Sequence, residues 1–232
     1  MHPLLPALQE GLDDLGLSLT DDQQTKLLDY MDLIAKWTKV YNLTAVRDAQ
    51  EMLTHHLLDS LAVVAPLRRE LVQLALPVAQ HLPAQETAKP VDAPTRFSVL
   101  DVGAGAGLPG IVIAITCPEV AVTCVDTVAK KAAFIQQVAA TLKLSNLKGL
   151  HARVETLTQP YDVVCSRAFA SLLDFTTWSK AALAPHGVWM AMKGKHPDQE
   201  LAVLPEDVQV FHVEQLRVPG LDAERCIIWM RG

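Results

Sequence analysis

The sequence has no apolar run approaching the about 18 residues needed to span a bilayer. Its longest candidate, Leu108 to Cys117, is broken by Pro109 and Gly110, so no membrane span is expected. A basic leader is missing too. Met1-His2-Pro3-Leu4-Leu5-Pro6 carries no Lys or Arg, and Glu10, Asp13 and Asp14 follow too soon for a secretory signal, which predicts a cytoplasmic protein. The four cysteines, Cys117, Cys124, Cys165 and Cys226, form no Cys-x-x-Cys pair. Neither a disulfide framework nor a zinc site is expected, and the thiols fall in or beside apolar stretches as core residues do.

Positive charge is also scarce: the formal net charge is -6. Spread evenly, it would argue against a polyanionic partner, because phosphate binding needs clustered Lys and Arg. The distribution is uneven. Residues 1–35 hold seven acids (Glu10, Asp13, Asp14, Asp21, Asp22, Asp29, Asp32) against one base, Lys26, and the remainder is neutral in sum. A local basic face on that remainder is allowed. With 50% hydrophobic and 20% charged residues, the chain has the composition of a globular protein. At about 150 residues per domain, 232 residues suggest one core and an appendage, and a monomer is expected.

Leu27, Leu28, Met31, Ile34 and Ala35 recur at helical spacing after a Thr20-Asp21 start signal, and Met52 to Val64 repeats the pattern. Residues 1–72 therefore read as a helical cap. From Leu74 to Arg96 the chain turns to Pro77, Pro83, Pro90 and Pro94, so 73–95 reads as a linker or surface loop. Residues 96–232 then alternate strand and helix. Strands are expected at Phe97–Val102, Val120–Asp126, Leu147–His151, Tyr161–Ser166 and Val188–Lys193, with helices from about Pro109, Val128 and Leu172. Such alternation implies an α/β fold with a mostly parallel sheet and helices on both faces. Val208–Leu216 and Arg225–Met230 read as two strands joined through Pro219-Gly220, an antiparallel edge.

The first strand ends in Asp101-Val102-Gly103-Ala104-Gly105-Ala106-Gly107-Leu108-Pro109-Gly110. Glycines tolerate positive φ and let backbone N–H groups approach a ligand, and the following helix offers its positive end to a carboxylate or phosphate. The pattern allows two cofactors. Gly105-x-Gly107-x-x-Gly110 fits a dinucleotide loop, whereas acid-x-Gly-x-Gly-x-Gly from Asp101 fits the class I S-adenosylmethionine methyltransferases. Asp126, ending the second strand, suits the ribose of either ligand.

Further motifs follow in order: Trp37 with Tyr41-Asn42-Leu43-Thr44-Ala45-Val46, His56-Leu57-Leu58-Asp59-Ser60-Leu61, Asp126 with Lys130-Lys131, Arg153-Val154-Glu155, Ser166-Arg167-Ala168-Phe169-Ala170, and Met192-Lys193-Gly194. Together with the glycine loop they resemble, nearly end to end, the bacterial small-subunit rRNA guanine-N(7) methyltransferases, the RsmG or GidB family. The resemblance implies a Rossmann-like class I methyltransferase domain, S-adenosyl-L-methionine as cofactor, and 16S rRNA or the small ribosomal subunit as partner. It implies that Gly103, Gly105 and Leu108 contact the cofactor, Asp126 meets its ribose, Val154 and Glu155 border its adenine, and Arg167 lines the cofactor and substrate side. Two departures stand out. The Pro-rich stretch is longer than the family usually carries, and His151-Ala152 stands where a glycine is expected before Arg153.

Guanine N7 has a lone pair and no proton, so methyl transfer to it needs no general base and none is assigned; positioning is expected to dominate. Arg167, at a strand end on the ligand rim, has a fork suited to guanine O6 or a phosphate. Lys193 and Lys195 end the next strand and suit phosphate contacts, and Lys130 and Lys131 open a helix where the dipole disfavours them. His55, His56 and Asp59 read as a structural group, since His55 and Asp59 share a helical face and no third metal ligand is identifiable. Asn42 and Thr44 are expected at the substrate mouth. Cys165 lies in an apolar strand outside any Pro-Cys or Thr-Cys context, against a nucleophilic role. A small-molecule methyltransferase, a non-catalytic S-adenosylmethionine-binding module and an NAD-linked oxidoreductase stay open as alternatives.

Overall fold

The computed structural model describes residues 2–79, 97–167 and 169–232. Five helical segments come first: α1 (Leu5–Asp14), α2 (Asp21–Tyr41), α3 (Ala49–Met52), α4 (Asp59–Leu61) and α5 (Val64–Ala79). Thr20 starts α2 through a reciprocal box: its hydroxyl accepts from the Gln23 N–H while the Gln23 side chain accepts from the Thr20 N–H. Between α3 and α4 the chain does not continue as a regular α-helix. Leu53–Leu58 is π-helical, and His55 and Asp59 nonetheless line one hollow. Helix α5 runs on to Ala79, past the expected start of the Pro-rich loop at Leu74. The rest of that loop, residues 80–96, and Ala168 of the Ser166–Ala170 motif lie outside the described residues.

The second half alternates β1 (Phe97–Val102), α6 (Gly110–Thr116), β2 (Val120–Asp126), α7 (Ala129–Thr141), β3 (Leu147–His151), β4 (Tyr161–Arg167), α8 (Leu172–Ser179), β5 (Leu183–Lys193), α9 (Asp198–Leu201), β6 (Gln209–Leu216) and β7 (Arg225–Arg231). The seven strands form one sheet in the order β3-β2-β1-β4-β5-β7-β6. Pairings from β3 to β5 are parallel, and β7 is antiparallel to both β5 and β6. Two refinements follow. Helix α8 ends at Ser179 and β5 begins at Leu183, well before Val188; of the two final strands only β6 is an edge, because β7 inserts beside β5.

The sheet separates two apolar layers. On one face Leu27, Met31, Ile34, Leu57 and Leu67 of the N-terminal helices join Val99, Ile111 and Val122 in a single buried cluster. On the other, Leu172 and Phe175 of α8 cover Leu100, Val164 and Trp189. Polar groups lock the N-terminal helices to α6. Gln23 Nε2 donates to the carbonyls of Ile115 and Thr116 at 3.0 and 3.3 Å, and Arg68 Nη2 to Thr116 at 2.7 Å. These donors satisfy carbonyls that the end of a helix otherwise leaves unpaired. Among the described residues no helix is long and apolar enough to cross a membrane.

Candidate active site

Neighbouring β1 and β4 mark where the strand order reverses, the place where open α/β sheets bind ligands beyond the carboxyl ends of their strands. The glycine turn leaves β1 there. Gly103, Gly105 and Gly107 take φ values of +66°, +60° and +90°, which explains three alternating glycines. The turn is stitched to β2: the N–H groups of Gly103 and Ala104 reach the Val125 carbonyl at 2.9 and 3.2 Å, and that of Gly105 reaches Asp126 Oδ2 at 3.0 Å. A Cβ on Gly103 would lie 2.2 Å from the Phe169 ring, whereas over Gly105 the nearest atom is 3.9 Å away.

The acid that opens the loop acts differently from the helix that closes it. Asp101 is fully buried, and its Oδ2 accepts the Gly110 N–H at 2.9 Å. One N–H at the expected ligand-facing α6 N-terminus, that of Gly110, is taken by Asp101. Asp101 Oδ1 is buried without a hydrogen-bond partner among the described residues. Burial pushes this carboxyl up to about 7, against the opposing pull of the Gly110 N–H and Arg167.

A cavity of about 540 Å³ opens beside the turn, lined by Gly103, Asp126, Val154, Glu155, Phe169 and Trp178 among others. Asp126 holds the rim: Oδ1 accepts from the Val128 N–H at 2.8 Å, Oδ2 from Gly105, and Lys131 Nζ lies 3.7 Å away. Lys131 is thus turned toward the acid. Phe169 and Trp178 meet edge to face, 5.9 Å between centroids, and form an apolar wall. His151, the departure noted above, contacts the Thr127 carbonyl at 3.1 Å, and the cavity wall there is Ala152.

Gly105 and Leu108 face a separate crevice of about 140 Å³, together with Gly103, Thr44, His56 and Arg167. Gly103 is common to cavity and crevice. A third hollow of about 390 Å³ continues past His56 and Arg167 to Lys193 and Arg225. The expected cofactor residues thus line adjoining spaces that share Gly103, and the expected substrate residues follow beyond Arg167.

Arg167 donates from Nη1 to Asp59 Oδ2 at 2.9 Å and to the His55 carbonyl at 3.1 Å. Asp59 is only 3% exposed, and its other oxygen accepts from Arg225 Nε at 2.8 Å. His56 Nε2 lies 2.6 Å from Thr44 Oγ1, and burial followed by the Arg167 charge lowers its pKa, favouring the neutral ring. Lys193, expected to reach phosphate, instead donates to Glu200 at 2.8 and 3.0 Å and to the Ala170 carbonyl at 3.1 Å. Lys130 and Lys195 are exposed. Asn42 Oδ1 accepts from Arg47, while Thr44 lines the crevice. Cys165 is buried inside β4, and burial, then the neighbouring Asp101, push its thiol up, the reverse of nucleophile activation. Sequence reading missed Arg225, Trp178 and Tyr30; the hydroxyl of Tyr30 reaches the glycine turn from α2.

Strand order, glycine turn and an acid closing β2 define the Rossmann-like class I methyltransferase fold. Residues 23–75 and 80–228 match the family described as GidB, rRNA small subunit methyltransferase G, and the chain belongs to this family. Two relatives carry the name Ribosomal RNA small subunit methyltransferase G. That from Acidovorax ebreus (strain TPSY) is 65% identical over 225 residues, 97% of this chain and 94% of its own. That from Polaromonas sp. (strain JS666 / ATCC BAA-500) is 68% identical over 224 residues, 97% of this chain and 92% of its own. Among solved structures, TrmN from Thermus thermophilus is 19% identical with a TM-score of 0.49, over 60% of this chain and 44% of that one.

Proposed function

We propose that the chain transfers the methyl group of S-adenosyl-L-methionine to N7 of a guanosine in the decoding-region loop of 16S rRNA, free or within the small subunit, in the cytoplasm. The observation that carries the reading is the run of adjoining spaces from Glu155 and Asp126, through Gly103, to Arg167. The first has a volume typical of small-molecule sites, and the open space over Gly105 and the carboxylate of Asp126 fit an adenosyl ligand. Val154 and Glu155 would border its adenine, Asp126 its ribose, and Gly103, Gly105 and Leu108 its amino acid end. Residues 96–232 would carry this chemistry while the helices of 1–72 frame the entrance.

The bound cofactor supplies an electrophilic methyl on a sulfonium. The protein has no proton to remove, because N7 carries none. Its task is to desolvate the acceptor and hold it in line. Asp59 offsets the charge of Arg167, which lessens repulsion of a cationic donor, and the Arg167 bonds among the described residues use Nη1 alone. Its Nη2 and Nε edge suits guanine O6 or a phosphate. Lys193 would act from behind this edge, by fixing the chain at Ala170.

The test is mass spectrometry of 16S rRNA nucleosides from a bacterial strain lacking its own family member, with and without this chain. N7-methylguanosine is expected only with it. No such nucleoside, or S-adenosylmethionine binding without turnover to S-adenosylhomocysteine, would refute the proposal.

A further inference from the structure

Resting on that reading, we infer that Asp59 and Arg225 are positioning residues: Arg225 fixes the Asp59 carboxylate, and Asp59 fixes Arg167 at the crevice over the glycine turn. Three observations support the assignment. Asp59 is a buried acid with one oxygen on each arginine, 2.9 Å to Arg167 Nη1 and 2.8 Å to Arg225 Nε, so neither oxygen can leave without freeing a guanidinium. The same Nη1 reaches the His55 carbonyl at 3.1 Å, so the π-helical stretch and the start of α4 each hold Arg167. Arg225 itself is pinned at Nη1 by the Glu224 carbonyl at 2.8 Å. The three charged groups all line the hollow beyond the crevice.

Energetics favour positioning over simple stabilisation. A buried ion pair contributes little net stability compared with apolar packing, because desolvation offsets its attraction. Two arginines on one carboxylate leave one positive charge in excess, facing the hollow where a nucleotide and its phosphates would enter. A guanidinium without its anchor would sample several rotamers, and loss of alignment by about 1 Å costs about 10²-fold in rate.

The test uses the full chain with 16S rRNA or the small subunit, measuring kcat, KM for RNA and cofactor affinity by calorimetry. Asp59→Asn keeps the shape and loses the charge; it is expected to lower kcat about 10²-fold, with cofactor affinity changed less than about 3-fold. Arg225→Met is expected to lower kcat about 10-fold, and Arg225→Lys, which restores one donor, to recover most of that loss. The double variant Asp59→Asn/Arg225→Met should be no slower than Asp59→Asn alone, because both act through Arg167. Additive losses, no rescue by lysine, or a kcat unchanged in both single variants would overturn the inference. Should Asp59→Asn fail to fold, as near-ultraviolet circular dichroism would show, the cycle of Arg225→Met with Arg167→Lys applies the same criterion. A wild-type chain that methylates no RNA refutes the underlying reading instead, and the two failures are thereby told apart.

Discussion

The hydroxyl of Tyr30, buried on α2, donates to the carbonyl of Ala106 in the glycine turn at 2.7 Å across 76 positions of sequence. Burial holds the phenol well above its ordinary pKa, so it remains a donor at any working pH. The N-terminal helices therefore do more than cover the sheet: they fix one end of the turn that a cofactor would touch. Tyr30→Phe keeps the ring, which stacks on Phe134 at 6.5 Å, and leaves the Ala106 carbonyl without this donor. An unpaired buried acceptor costs about 1–3 kcal/mol. Urea unfolding is expected to show a loss of that size, and calorimetry a several-fold weaker cofactor affinity. Full affinity in the variant would show that the turn holds its shape without α2.

Gly103 is a position that cannot readily accept a side chain. Its φ of +66° lies in the left-handed region, and an added Cβ would sit 2.2 Å from Phe169. Gly103→Ala must displace the aromatic wall or the turn, and strain of this kind costs about 1–3 kcal/mol. Cofactor binding should fall below detection in calorimetry while the circular dichroism spectrum stays folded. Gly16, also at positive φ but with nothing within 4 Å of its Cβ position, supplies the control. Gly16→Ala should lose a little stability from backbone strain alone and leave binding intact.

These two contacts mark where sequence reading succeeds and where it stops. The glycine turn was legible because positive φ at alternate positions leaves few choices of residue, and the central strands were legible because strands buried on both faces read as continuous apolar runs. The ion-pair cluster was not legible. Asp59 and Arg225 are 166 positions apart, and local periodicity says nothing of such a pairing. Nor does a helical spacing rule anticipate the π-helical stretch, Leu53–Leu58, that precedes Asp59. Lys193 read as a free cation because Glu200, its partner, comes from the short helix α9, which carries little pattern of its own.

Asp101 gives the fold a pH dependence of defined sign. Its carboxyl is raised from 3.8 to about 7 in the folded chain, chiefly by burial. Between those values the unfolded chain has released the proton and the folded chain retains it, so stability falls as pH rises through the window. At about 1.4 kcal/mol per unit, the full contribution is about 4 kcal/mol. Asp101→Asn can still accept the Gly110 N–H and cannot ionise. Relative to wild type, it should gain stability in urea unfolding from pH 4 to about pH 7 and level off above that. A difference that stays flat over that range would mean that Asp101 ionises freely in the folded chain.

Arg167→Ala separates stability from chemistry less cleanly than a surface position would allow, because Arg167 is a partner of the buried Asp59. Removing the guanidinium takes one partner from a buried carboxylate, a change that costs about 3–5 kcal/mol when the charge is left alone. Here Arg225 stays on the other oxygen at 2.8 Å, so the loss should fall below that range, at about 1–3 kcal/mol. The variant should fold, bind cofactor in the cavity bordered by Asp126 and Glu155, and transfer no measurable methyl to RNA. Its RNA affinity should also depend less steeply on salt if the free edge of Arg167 meets a phosphate, the logarithmic slope falling by about one. A variant with wild-type turnover would remove Arg167 from the acceptor side and leave it as a structural partner of Asp59.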